Sequence, residues 1–486
     1  MKKWLCLALA VLMVLSLAAC GGKGGEAKEG LQVGYGRADI TPANGTPLAG
    51  YGATDTRLSA NVLDPLYATC ISMFDGQDQV LLITTDVICT YEKFFLDGRA
   101  AIAEATGIAE GNIFISATHT HAAPDLNYTF DKESNSFVGE NAEAMTAYMQ
   151  VWKDGLVAAS KVALDDQRPA TMAGTKFEAQ YLNFVRHYYQ GATDTYMGDN
   201  FGDGQTATIT DYAEEADNQM VLIKFQREDS KDILLCNFQA HPAMNGGATR
   251  TDVSADFVGS VRTMIEAQED VYFAYYTGAA GNQNVKTYLA ADNAEAGKYA
   301  EIMPYTKEFV RQATEAMNAG MTPIEGYDIK VTTQVYNGKV NHLDDDRAEI
   351  ATELYMEYTE TGNRDLYNRK AVEAGFVSIY ECGGIMRRAA MPETLDLEMN
   401  ALSVGNLGLI TAPYEMFSVN ATHIKTNSPF DFTVVVTCSG VHRSYIPSQK
   451  AFEYGCYEST SAYYEPGTGE LLADQYVAML NQLKGQ

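Results

Sequence analysis

This sequence has few histidines, few basic residues and no patterned cysteine. Of its 486 residues, 35 are Lys or Arg against 63 Asp or Glu, a formal net charge of −28. Nucleic acid would be repelled by such a chain unless a local basic patch intervened, and none occurs; the acidity fits an exported protein kept soluble by charge. Leaving aside Cys6 and Cys20, the cysteines Cys70, Cys89, Cys236, Cys382, Cys438 and Cys456 are scattered without a CxxC pair or a regular interval. That spacing implies neither a disulfide framework nor a thiolate metal site, so buried free thiols are expected, with room for one or two bridges. Internal repeats are absent as well.

Long apolar runs are also scarce, the exception being the first twenty residues, "MKKWLCLALAVLMVLSLAAC". Lys2 and Lys3 precede a run too short for a spanning helix, which reads as a secretion signal over 1–19. Leu17, Ala18, Ala19 and Cys20 resemble the bacterial lipobox, which implies lipidation at Cys20 and a protein held on the outer face of a bacterial membrane. The glycines and charges of "GGKGGEAKEG" then describe a flexible tether, making 20–30 a lipidated linker.

The remainder of the chain, 31–486, is long enough for a large core. Strand-like runs ("ATCISMF", "QVLLITTDVI", "NIFISAT", "MVLIKFQ", "DILLCNFQA", "VYFAYYTG", "LSVGNLGLITAP", "FTVVVTCSG") alternate with amphipathic helical stretches such as "AEAMTAYMQVWKDGLVAASKVAL". The expected fold class is α/β, mixed sheets with flanking helices. A charged stretch over 344–375, "DDDRAEIATELYMEYTETGNRDLYNRKAVEAG", reads as an inserted, solvated helical pair.

Only seven histidines occur, yet His119 and His121 stand two apart in "FISATHTHAAPDLN". In a strand, residues i and i+2 face the same way, so both imidazoles would enter one cleft, which suits a metal as well as ordinary hydrogen bonding. Other strand-like runs end in His241 ("FQAHPAM"), Glu415 ("APYEMFS"), and His442 with Tyr445 ("GVHRSYIPS"). Each alone has a plain reading: His241 as a strand cap, Glu415 as a helix start, Tyr445 as a core aromatic. Together they suit a cleft at the edge of an open sheet, where loops converge.

On these motifs the sequence resembles the catalytic domain of the neutral, non-lysosomal ceramidase family, from "GYGRADITP" at 34 to "YESTSAYY" at 464. The resemblance implies one zinc ion held by His119, His241, Glu415 and Tyr445, with His121 beside the metal binding substrate or moving a proton. Arg186 in "YLNFVRHYY" is offered for the family's "NRSP"-like arginine. Where the family carries "GDVSPN", this chain reads "YYTGAAGNQN", with Gly281 in place of the serine. No serine nucleophile carries over, and attack by zinc-bound hydroxide is expected instead. The backbone of Gly278 to Gly281 is read either as an oxyanion donor or as a plain tight turn. The family's C-terminal immunoglobulin-like domain is expected to be absent. The implied protein is a zinc amidohydrolase acting on an N-acyl lipid or related amphiphile. The alternatives are another small amide or ester as substrate, or an inactive ligand-binding surface lipoprotein.

Overall fold

The protein is described by a computed structural model over residues 30–51, 57–126, 130–131, 135–190, 195–199, 209–247, 249–287, 289, 299, 301–376 and 378–485. The expected signal segment, Cys20 and the tether up to residue 29 lie outside the described residues. Strands β1 (Gln32–Asp39), β2 (Tyr67–Phe74), β3 (Gln79–Thr85), β4 (Ile113–Ala117), β5 (Arg168–Glu178), β6 (Gln219–Arg227), β7 (Asp232–Phe238), β8 (Val271–Thr277) and β9 (Thr322–Ile324) form one nine-stranded sheet. Its order is β8-β7-β6-β5-β1-β2-β3-β4, with β9 added beside β5. The pairs β3–β4 and β7–β8 are parallel. A second sheet joins β10 (Ile329–Lys339), β11 (Thr394–Val404), β12 (Leu407–Thr411) and, after a short strand β13 (Glu415–Met416), β14 (Phe432–Val436), with β12 and β14 parallel.

Two-residue alternation assigns the layers. Along β2 and β3, Ile71, Met73, Val80 and Leu82 face the second sheet, where they meet Leu402, Val404, Leu409, Val434 and Val436. Their neighbours Ala68, Cys70, Leu81 and Ile83 face helices on the opposite side. Both faces being buried, these strands read as continuous apolar runs. The outer faces are covered by α1 (Glu92–Thr106) and α2 (Ala142–Asp165) at one end of the large sheet, and by α3 (Asp256–Gln268) and α4 (Ile302–Asn318) at the other. The outer face of the second sheet is covered by the helix Thr468–Lys484, whose Leu472, Tyr476 and Leu480 pack on Met399 and Ile410, so helix and sheet stack in four layers, α-β-β-α, a mixed α/β fold with flanking helices as the sequence predicts.

The "GYGRAD" motif explains one contact. Gly34 and Gly36 lie on the same face of β1, and α2 rests directly on them. A Cβ added at either would stand 1.9 Å from Ala163 O or 2.0 Å from Ala159 O. Helix α2 is held there by Met145, Tyr148, Trp152, Leu156 and Ala159, buried at helical spacing.

Two expectations change. "LSVGNLGLITAP" is not one strand: it divides at Gly405 and Asn406 into β11 and β12, paired antiparallel. The charged insertion near 344–375 is not only a pair: α5 (Ala348–Thr361) and α6 (Arg364–Glu373) are joined by α7 (Ile379–Ala389). The third helix contributes Ile379, Cys382 and Ile385 to a small core with Ala351, Tyr367 and Phe376. A charged pair alone could not bury enough apolar surface to hold its shape.

Gly36→Ala is expected to lower unfolding free energy by roughly 3 kcal/mol, the upper end for overpacking, because the obstacle is helix backbone that cannot rotate away. Urea unfolding monitored by circular dichroism checks this; an unchanged midpoint would mean that α2 stands clear of β1.

Candidate metal centre

The carboxyl ends of parallel strands meet at one end of the sandwich, where an isolated bridge between Ser116 and Ser439 ties the two sheets together. Past the end of β4, the chain turns at His119, which has a positive φ of 69°. Strand alternation therefore does not set the aim of His119 and His121, contrary to the expectation from spacing, because the strand ends at Ala117. The left-handed turn achieves the convergence instead: the two Nε2 atoms are 3.4 Å apart.

His241 arrives after β7, anchored by its amide to Gln283 O at 3.1 Å. Glu415 begins β13, which pairs in parallel with β15 (Tyr445–Ile446), placing Glu415 and Tyr445 side by side. His119 Nε2 lies 3.1 Å from His241 Nε2 and 3.2 Å from Glu415 Oε2, and His241 Nε2 lies 3.5 Å from that same oxygen. All three residues are buried.

The partners decide the tautomers. His119 Nδ1 meets Ile88 O at 2.8 Å and His241 Nδ1 meets Ala280 O at 2.8 Å. A carbonyl only accepts, so both Nδ1 atoms carry the proton and both Nε2 lone pairs point inward. Two lone pairs 3.1 Å apart beside a carboxylate repel one another. Glu415 Oε2, moreover, is buried without a hydrogen-bond partner. Charge obeys the same logic. Burial alone would raise the carboxyl of Glu415, but His119 and His241 hold it far below the usual carboxylate range. Burial, then neighbouring positive charge, pushes His121 and His241 well below the ordinary imidazole value. For His119, burial acts downward and is outweighed by Glu415 and Cys438, which raise it. The cluster as a whole calls for positive charge beside Glu415, and the donor set fits a cation.

Arg186, offered for the family's arginine, does reach the site. Its guanidinium donates to Gly281 O at 2.8 Å and lies 3.4 Å from the Tyr445 hydroxyl. It also pairs with Glu458, whose other oxygen is 2.8 Å from His187 Nε2. Gly281 behaves otherwise than an oxyanion donor: its amide is spent on Met416 O at 2.9 Å, and those of Gly278 and Ala280 go to Phe238 O and Gly278 O. The loop presents carbonyls to the site, Ala280 O to His241 and Gly281 O to Arg186. A Cβ at Gly281 would stand 2.8 Å from the carbonyl oxygens of both Glu415 and Met416, so glycine here is a packing requirement. Sequence motifs alone do not single out His187, and Glu458 enters them only as a residue keeping register in the tyrosine segment. Their burial as a hydrogen-bonded pair is visible only once the chain is folded.

A buried nest of imidazoles and a carboxylate at strand ends of a four-layer α/β sandwich marks a candidate metal centre. The chain belongs to the neutral/alkaline non-lysosomal ceramidase family: the model of that family's N-terminal region matches residues 31–340. The matched span holds His119, His121, Arg186, His241 and Gly281, while Glu415 and Tyr445 lie beyond it. The family places the protein among hydrolases acting on amide bonds. Two solved structures share the fold. A neutral ceramidase from Pseudomonas aeruginosa is 16% identical with a TM-score of 0.67, the match covering 94% of this chain and 75% of that one. A ceramidase complexed with C2 is 15% identical with a TM-score of 0.65, covering 94% and 76%. Comparison with curated protein sequences gives no match.

Glu458→Gln is expected to destabilise the protein by about 3–5 kcal/mol, because Arg186 is left charged and buried without its partner. The carboxyl of Glu458 is held down to about 2 by Arg186 and His187, against the opposing effect of burial, from an ordinary 4.5. A depressed carboxyl stabilises the folded state above its unfolded value, so this contribution is full above about pH 4.5 and lost as pH falls toward 2. Denaturant midpoints for parent and variant across that window should converge on acidification; a constant gap would contradict the assignment.

Proposed function

We propose that the chain is a zinc-dependent amidohydrolase that cleaves the N-acyl bond of a ceramide-like lipid or related amphiphile. What carries this reading is the pair of inward Nε2 lone pairs 3.1 Å apart, beside a buried carboxylate oxygen with no partner. His119, His241 and Glu415 would hold the ion, with Tyr445 as fourth donor by correspondence with the family. Two neutral imidazoles and one carboxylate leave zinc with net positive charge and an open position. Zinc so held polarises a carbonyl and brings the pKa of water to about 7.

The chain's own residues divide the remaining work. His121, kept neutral by burial and by the charge of its neighbours, can take a proton at Nε2 and pass it to the departing amine. Burial and the nearby Glu415 charge raise Tyr445 well above the ordinary phenol value, which keeps its proton in place. With Arg186 donating to its oxygen, the Tyr445 O–H is left to donate to the developing oxyanion. At Gly281 there is neither a nucleophile nor room for one, so water adds to the carbonyl, the C–N bond breaks, and the amine leaves with the proton from His121. Export and lipid attachment at Cys20 complete the proposal, placing the enzyme at a membrane surface. Among the described residues no helix is long and apolar enough to cross a membrane.

Elemental analysis should find zinc in the purified protein, and His241→Ala should lose both that metal and activity. Removing His121 should lower turnover roughly a hundred- to ten-thousandfold while the metal stays bound. Active, folded, metal-free protein would end the zinc reading, and a side-chain acyl adduct trapped by rapid quench would end direct hydrolysis. Cys20→Ser is expected to release the protein from the membrane fraction or block its processing; identical fractionation of parent and variant would refute lipid attachment.

A further inference from the structure

Against the outer edge of the His119 ring lies a second group of donors that the proposed hydrolysis does not use. The sulfurs of Cys89 and Cys438 are each 3.5 Å from His119 Nδ1. Together with a ring nitrogen of His442 they form a group whose ligand atoms all lie within 4.8 Å of one another. Both cysteines are buried and free. The His442 side chain is 10% exposed, and its Nε2 is 3.9 Å from Glu415 Oε1. Its backbone amide is fixed to Thr90 O at 2.9 Å, while its Nδ1 is buried with no hydrogen-bond partner. Cys438 and His442 lie on the one loop between β14 and β15, whereas Cys89 comes from beyond β3, so it is the sheet order that brings Cys89 to the other two.

Three accounts compete. Simple packing accommodates two thiols, but an unsatisfied buried imidazole nitrogen carries a penalty of about 1–3 kcal/mol. A disulfide would use both sulfurs and leave His442 as it stands. A thiophilic divalent ion engages all three donors at once, and Glu415 Oε1 is a further oxygen close to the imidazole.

We propose that Cys89, Cys438 and His442 form a second metal site, for zinc or another thiophilic divalent ion. Binding releases both thiol protons to solvent, and the two thiolates balance the charge of the ion. Two sulfurs, one imidazole nitrogen and one oxygen form a donor set of the kind zinc takes tetrahedrally. The site braces the loops after β3 and β14 where they flank His119, whose Nδ1–H must keep its bond to Ile88 O for Nε2 to point inward. The inference shares Glu415 and His119 with the amidohydrolase reading but uses neither His241 nor a substrate, so the two can fail separately.

The test is cobalt loading of the full chain under reducing conditions, followed by absorption spectroscopy and elemental analysis. A thiolate-to-cobalt charge-transfer band is expected in the parent. The Cys89→Ser, Cys438→Ser double variant should lose the band and one metal equivalent. His241→Ala should keep the band while losing the other equivalent, so failure of one site is distinguishable from failure of the other. Should the double variant not fold, His442→Ala retains both thiols and should weaken cobalt binding at the band at least tenfold. The proposal is overturned if the reduced parent gives no band, if His442→Ala binds as the parent does, or if Cys89 and Cys438 are found joined in the metal-loaded protein.

Discussion

Two hydrogen bonds to backbone carbonyls govern the site end of this molecule. By donating Nδ1–H to Ile88 O and Ala280 O, His119 and His241 surrender their choice of tautomer, and each must aim a lone pair at the other. No arrangement of neutral protein groups makes that comfortable next to Glu415. The fold has therefore built an electrostatic deficit into its interior and surrounded it with backbone that cannot relax. The positive φ at His119 is a local strain that holds because the surrounding sheet over-determines it.

Around this deficit sits a balancing shell. The buried ion pair of Arg186 with Glu458 would be an unrewarding way to stabilise a core on its own, since desolvation offsets much of the attraction. Here the guanidinium is turned to use: it fixes the carbonyl of Gly281 and approaches the hydroxyl of Tyr445. Burial and the charge of Glu415 raise the Tyr445 phenol and outweigh the lowering by Arg186, so it keeps its proton beside the guanidinium.

Much of this is legible in the sequence where strand ends carry chemistry. His119, His241, Glu415 and Tyr445 each come after an apolar run, and family resemblance draws them into one set that the folded chain brings to one end of the sandwich. Period-two reasoning misassigns the cause of the His119–His121 convergence, because it assumes a strand that has already stopped. Strand β10 escapes notice since "IKVTTQVYNGK" is largely exposed and lacks the apolar signature of its neighbours. Spacing also passes over the cysteines, being a criterion that detects local motifs only. Cys89 and Cys438 both close apolar runs, the same signal that marks the histidines, but proximity between residues so distant in sequence is a property of the sheet order.

The division of the site between the two sheets has a consequence for how the protein is made. His119 and His241 belong to loops of the large sheet, synthesised early, whereas Glu415 and Tyr445 come after strands of the small one, synthesised last. During synthesis the histidines emerge long before their carboxylate, and loop-closure entropy must be met before the two halves can meet. The centre cannot assemble piecemeal on a half-made chain. Its completion coincides with closure of the sandwich, so a fully formed donor set signals that both sheets have docked in register.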